Sequence, residues 1–207
     1  MEATLLEYQW NQLFGSLGEE LLISKAFNEL VCRYSEDHRH YHTLAHIEAC
    51  FKKLDEVSDS IDDIFSLKAA IWFHDVIYDP SRNDNEEMSA QYAQSFLNSL
   101  KLNQDKISKV VELINLTKHN KTPITDDEKY LLDIDVSILG SDDDLYSCYE
   151  KSIRQEYKQI PDENYREGRI NVLQSFLDSQ HIYYTEYFRQ RYEQQARKNI
   201  VNAIMTL

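Results

Sequence analysis

Apolar side chains recur every three or four residues along most of the chain, the spacing that gives a helix one apolar face. Leu5, Leu6, Trp10, Leu13, Phe14 and Leu17 make the first such series, closed by Gly15 and Gly18. Leu21, Leu22, Ala26, Phe27, Leu30, Val31 and Tyr34 make the second. A charged link, Ser35-Glu36-Asp37-His38-Arg39, leads to a third, with Leu44, Ile47, Phe51, Leu54 and Val57 on its apolar face and His42 and His46 in its first turns. Ile61, Ile64, Phe65, Ile71 and Trp72 predict a fourth helix running toward His74-Asp75, stopped by Asp79-Pro80.

Beyond the polar loop Ser81-Arg82-Asn83-Asp84, Asn85 reads as the N-cap of a helix bearing Met88, Tyr92, Phe96 and Leu97. Ile107, Val110, Val111 and Ile114 mark the next, which runs out near Thr117-Lys118-His119. Thr125-Asp126-Asp127-Glu128 has capping-box spacing and opens a helix carrying Asp135, ended by Gly140. Ser141-Asp142-Asp143-Asp144 caps a segment over 142–160, Pro161 separates it from one over 162–178, and a last helix starts near Thr185. The expectation is an all-α bundle of roughly eight to ten helices. A single domain over 1–207 is expected, with its chemistry concentrated between about 39 and 140.

Composition agrees with helices, since only four glycines and three prolines interrupt 207 residues. Charge narrows the partners. Lys and Arg total 22 against 36 Asp and Glu, a net −14, so a nucleic-acid polymer is repelled. A small phosphorylated substrate is still compatible, because a metal and a few arginines reverse the field locally. Cys32, Cys50 and Cys148 are odd in number and widely spaced, as expected of reduced core thiols in a cytoplasmic protein. No basic region precedes an apolar stretch at the start, so no signal peptide is expected. No apolar run approaches ~20 residues, so no membrane span is expected either.

The candidate chemistry lies in histidines and carboxylates. Four of the seven histidines fall between His38 and His46, and His42 and His46, four apart, would share one helix face. An adjacent pair, His74-Asp75, follows the apolar run Ala69 to Phe73, and Asp135 comes sixty residues later among Ile134, Val136, Ile138 and Leu139. Imidazole with carboxylate suits a divalent cation such as Mn, Fe, Co, Ni, Zn or Mg and leaves positions for water. His46, His74, Asp75 and Asp135 are therefore the candidate ligands, and Asp133 could take the place of Asp135. Neighbours on a helix point ~100° apart, so His74 and Asp75 share an ion only if it lies between their directions or the helix is irregular there.

In order along the chain stand Arg-x-Tyr-His-x-x-x-His (Arg39 to His46), Trp-Phe-His-Asp-x-x-Tyr-Asp (Trp72 to Asp79) and Asn-Glu-x-x-Ser-Ala (Asn85 to Ala90). Thr117 to His119 and Asp-x-Asp-x-Ser-Ile-Leu-Gly (Asp133 to Gly140) follow. This series resembles the HD superfamily of metal-dependent phosphohydrolases, in particular a bacterial branch of predicted members. The resemblance implies that His46, His74, Asp75 and Asp135 hold a divalent metal, and it favours Asp135 over Asp133. It implies a metal-activated water, oriented or deprotonated by Asp75, that attacks a small phosphate ester such as a nucleotide or a related monoester or diester. Tyr41-His42-x-x-x-His46 is also similar to the Tyr-His-Asn-x-x-His signature of cyclic-nucleotide phosphodiesterases, which gives His42 the task of protonating the leaving oxygen. That family would place a further histidine at 78, where this chain has Tyr78; His119 could replace it, contact phosphate, or simply face a helix C-terminus.

Arg39, Lys118, Arg154, Arg169 and Arg197 are candidate phosphate contacts, or else partners of surface acids. Arg39 is favoured because it sits three residues before His42. Asn85 and Glu86 match the resemblance, although a helix cap and first-turn acid explain them equally. Two other readings of the same motifs are a di-iron oxygenase on this scaffold and a metal- or nucleotide-binding regulatory module without turnover.

Overall fold

A computed structural model describes residues 5–207. Among them are ten α-helices and no strand. They are α1 (Leu5–Phe14), α2 (Glu20–Arg33), α3 (Leu44–Val57), α4 (Ile64–Phe73), α5 (Asn85–Ser99), α6 (Gln104–Leu116), α7 (Asp126–Asp135), α8 (Asp143–Glu156), α9 (Asp162–Asp178) and α10 (Glu186–Thr206). None is long and apolar enough to cross a membrane. The chain divides into two compact units, one ending at Thr122 and one from Pro123 to Leu207.

In the first unit α4 is the buried helix. Leu67 and every residue from Ala69 to Phe73 are inaccessible, as a helix apolar on all sides must be. Its start is fixed by Asp63, which accepts from the Ser66 amide and hydroxyl at 3.1 and 2.7 Å and pairs with Lys106 at 3.0 Å. Helices α1, α3, α5 and α6 cover it. Trp10 and Phe14 of α1 pack their rings at 4.4 Å, and Trp10 meets Trp72 edge-on at 5.4 Å. At the far end of α4, the Tyr34 hydroxyl donates to the Trp72 carbonyl at 3.0 Å, satisfying one of the orphan acceptors of a helix terminus.

Two helix ends differ from the expectation, and both matter for the site. Thr43 is the N-cap of α3, extended in backbone and accepting from the Ala45 amide, so His42 lies before the helix rather than in its first turn. Helix α4 stops at Phe73, with His74 as its C-cap, well short of Pro80. Asp75 therefore sits in a turn.

In the second unit the capping box expected at Thr125 and Glu128 is present, Asp142 caps α8, and Pro161 stands at the start of α9. Helix α10 packs on the 3₁₀ turn Val136–Gly140. Gly140 is required there by proximity alone, since a Cβ would fall 2.6 Å from that of Tyr192. The Asn199 amide stitches the two by donating to the Leu139 and Ser141 carbonyls, both at 2.8 Å. Among the described residues the three cysteines form no disulfide. Only Cys50 is a core thiol, because Cys32 and Cys148 lie on the solvent faces of α2 and α8.

Candidate metal centre

Three of the expected ligands converge in the first unit. His46 projects from the first turn of α3, and His74 and Asp75 leave the end of α4. The His46 and His74 Nε2 atoms are 3.1 Å apart. The Asp75 Oδ2 lies 3.0 Å from His74 Nε2 and 3.7 Å from His46 Nε2. Atoms bound at ~2.0–2.2 Å to one ion, at tetrahedral or cis-octahedral angles, stand roughly 2.9–3.6 Å from each other. Two of the three edges fall in that range, and the His46–Asp75 edge, at 3.7 Å, is slightly longer. The irregularity needed for adjacent His74 and Asp75 to share an ion is supplied by the end of α4.

Tautomers follow from the partners. His74 Nδ1 lies 3.0 Å from the Ile71 carbonyl, which can only accept, so Nδ1 carries the hydrogen and Nε2 presents its lone pair. That lone pair faces the Asp75 oxygen. Two acceptors stay so close when a ring is protonated or a cation lies between them. Both histidines are buried, so the second solution avoids leaving a charged imidazole out of water. Burial raises the Asp75 carboxyl, but positive charge on the rings of His74, His42 and His46 outweighs it and holds the carboxyl well below the usual carboxylate range; with neutral rings a bound cation would have to supply that pull.

His42 stands beside the triangle and outside it. Its half-buried ring stacks on Tyr78 at 4.2 Å and lies 6.1 Å from the His46 ring. Tyr78, where a third histidine was conceivable, thus holds His42 in place. The loop carrying Tyr78 is clamped from α5: Ser89 Oγ exchanges bonds with the Ile77 amide and carbonyl at 3.1 and 3.2 Å. Asn85 does the same for Asp79 at 3.1 and 2.9 Å.

These contacts correct several expectations. Asn85 does not cap α5, whose N-cap is Asp84; its side chain brackets Asp79, accepting from the backbone amide and donating to the carbonyl. Arg39 is buried, its guanidinium committed to Glu36 and to the carbonyls of His42, Asp75 and Val76, so it has no face for phosphate. Lys118 pairs with Glu87, Arg154 with Asp162, Arg169 with Glu150 and Arg197 with Glu193. Glu86 sits in the first turn of α5. His119 is exposed past α6 in the left-handed region, at φ 53°, outside the His46–His74–Asp75 group.

Asp135 ends α7 in the second unit and is half-buried. Its rival Asp133 is wholly buried and already engaged by three donors, the Tyr184 and Thr185 amides at 2.7 Å each and the Thr185 hydroxyl at 2.6 Å. Asp133 is an anchor for the chain before α10. Sequence reasoning missed Tyr34, Tyr78 and Ser89 as parts of the site's frame. For Tyr78 and Ser89 a signal existed, since both lie within the motifs. Compared with protein-family models, with curated proteins and with solved structures, the chain finds no match in any of the three.

Proposed function

We propose that the chain is a metal-dependent hydrolase of a small phosphate ester, of the HD type that its motifs resemble. The observation that carries this reading is the cluster of His46 Nε2, His74 Nε2 and Asp75 Oδ2, two of whose three edges match one ion's coordination shell. A divalent ion held there by His46, His74 and Asp75 would supply activation of water near neutral pH and stabilisation of charge on a phosphoryl oxygen. Asp75, kept ionised by its neighbours, serves as ligand and orients or deprotonates the attacking water. His42, outside the triangle and steadied by Tyr78, is the donor of a proton to the departing oxygen. The same reading makes Asp135 the fourth ligand.

The test is metal analysis of the purified chain, followed by phosphate release from nitrophenyl phosphates and nucleotides with Mn, Co, Ni and Mg. Turnover with at least one ion, abolished in His46→Ala together with metal content, is the expected result. Metal without turnover on any substrate points to a binding module, and iron with oxygen uptake to an oxygenase. Either would replace this reading.

A further inference from the structure

Arg39 is tied to the site by three hydrogen bonds to backbone carbonyls. Its side chain is 0% exposed. Nη1 donates to the His42 carbonyl at 3.1 Å and to the Asp75 carbonyl at 2.7 Å, and Nη2 to the Val76 carbonyl at 3.1 Å. Nε donates to Glu36 at 3.1 Å, and that carboxylate offsets the buried charge. The planar group lies between two rings, 5.1 Å from the Tyr34 centroid and 5.4 Å from that of Tyr78. One guanidinium thus joins the segment before α3 to the turn after α4. Those two segments carry His42 and Asp75, and neither is held by helical hydrogen bonds at those positions.

We infer that Arg39 is a positioning residue, a fork that fixes the His42 and Asp75 backbones so that the carboxylate meets His46 and His74 in coordination geometry. The inference rests on the metal reading above and adds a residue that touches neither ion nor substrate. Four bonds from a flat donor between two rings set a requirement that an ammonium does not meet, because Lys carries no plane to stack and no fork to span carbonyls on two segments. Charge alone is therefore insufficient; shape is what the position selects.

Full-length wild type, Arg39→Lys and Asp63→Ala are compared by titration with Mn(II) and by thermal melting. Asp63→Ala removes the N-cap at the other end of α4 and serves as a control destabilised in the same unit. Arg39→Lys is expected to bind Mn(II) about 10–100-fold more weakly, the usual cost of losing a group that orients ligands. Asp63→Ala is expected to melt earlier yet keep wild-type affinity. In Arg39→Ala, guanidinium ion below denaturing concentrations should restore binding where methylammonium does not. Wild-type affinity in Arg39→Lys, or an equal loss in Asp63→Ala, overturns the proposal while leaving the metal site intact. A wild type that binds neither Mn(II) nor Zn(II) removes the metal reading, and this inference with it.

Discussion

His42 and His46 are the same residue type four positions apart, and the cap at Thr43 separates what they do. His46 enters α3 and is buried against His74; His42 stays in the preceding turn, half-buried against Tyr78. Removal of His46 takes away a ligand, so metal content and turnover should fall together in His46→Ala. In His42→Ala the metal should stay, while turnover falls by roughly 10²–10⁴-fold, the usual worth of a positioned general acid. A nitrophenolate leaves without needing that proton, so the penalty should shrink for nitrophenyl phosphates relative to an alkyl phosphate. A penalty equal for both substrates, or metal lost along with activity, would assign His42 to structure instead.

At the scale of elements, helix existence and most starts were legible because each has a local cause. Thr125 with Glu128, Asp142, Pro161 and Thr185 sit where capping chemistry puts them. The end of α4 was not legible: apolar residues resume after His74-Asp75 at Val76, Ile77 and Tyr78, and no glycine or proline intervenes before Pro80. What stops the helix is tertiary, namely Tyr34 on the Trp72 carbonyl and Arg39 on those of Asp75 and Val76. Arg39 itself read as a phosphate contact, because nothing local announces that two tyrosines will enclose it. The candidate ligand triad was legible through motif order, whereas its spacing was not.

Also at this scale, Asp133 binds α7 to the residues before α10. Burial pushes its carboxyl up to about 6 despite the pull of the Thr185 and Tyr184 donors. The unfolded chain has an Asp value near ~3.9. Between these values the folded form holds a proton that the unfolded form has released. Stability from this group is therefore complete below about pH 4 and is lost as pH rises through about 6. In Asp133→Asn, a neutral side chain carries no such dependence, though its amide adds a constant cost by facing backbone donors. Urea midpoints measured from pH 4 to 7 should thus show wild type losing ground to Asp133→Asn as pH rises. Parallel profiles would mean that the carboxyl is ionised throughout.

At the scale of the whole molecule, the net charge of −14 favours cations over polyanions at the surface, and an ion bound at the candidate site would become part of the stability. A ligand that binds only the folded form stabilises it by about 2.7 kcal/mol at 100 times its dissociation constant. Chelation should then lower the melting temperature of wild type and leave that of His74→Ala nearly unmoved. The chain has two compact units, so melting need not be a single transition. An ion held by His46, His74 and Asp75 alone raises the transition of the unit that ends at Thr122 and no other. An ion that also takes Asp135 raises both, and Asp135→Ala then uncouples them by abolishing the chelator shift in the second. Calorimetry of wild type, His74→Ala and Asp135→Ala, each with and without chelator, reads these cases directly. Equal chelator shifts in wild type and His74→Ala would show that the cation binds elsewhere on the acidic surface. A wild-type profile whose chelator shift Asp135→Ala leaves untouched would confine the ligand set to the three residues of the triangle.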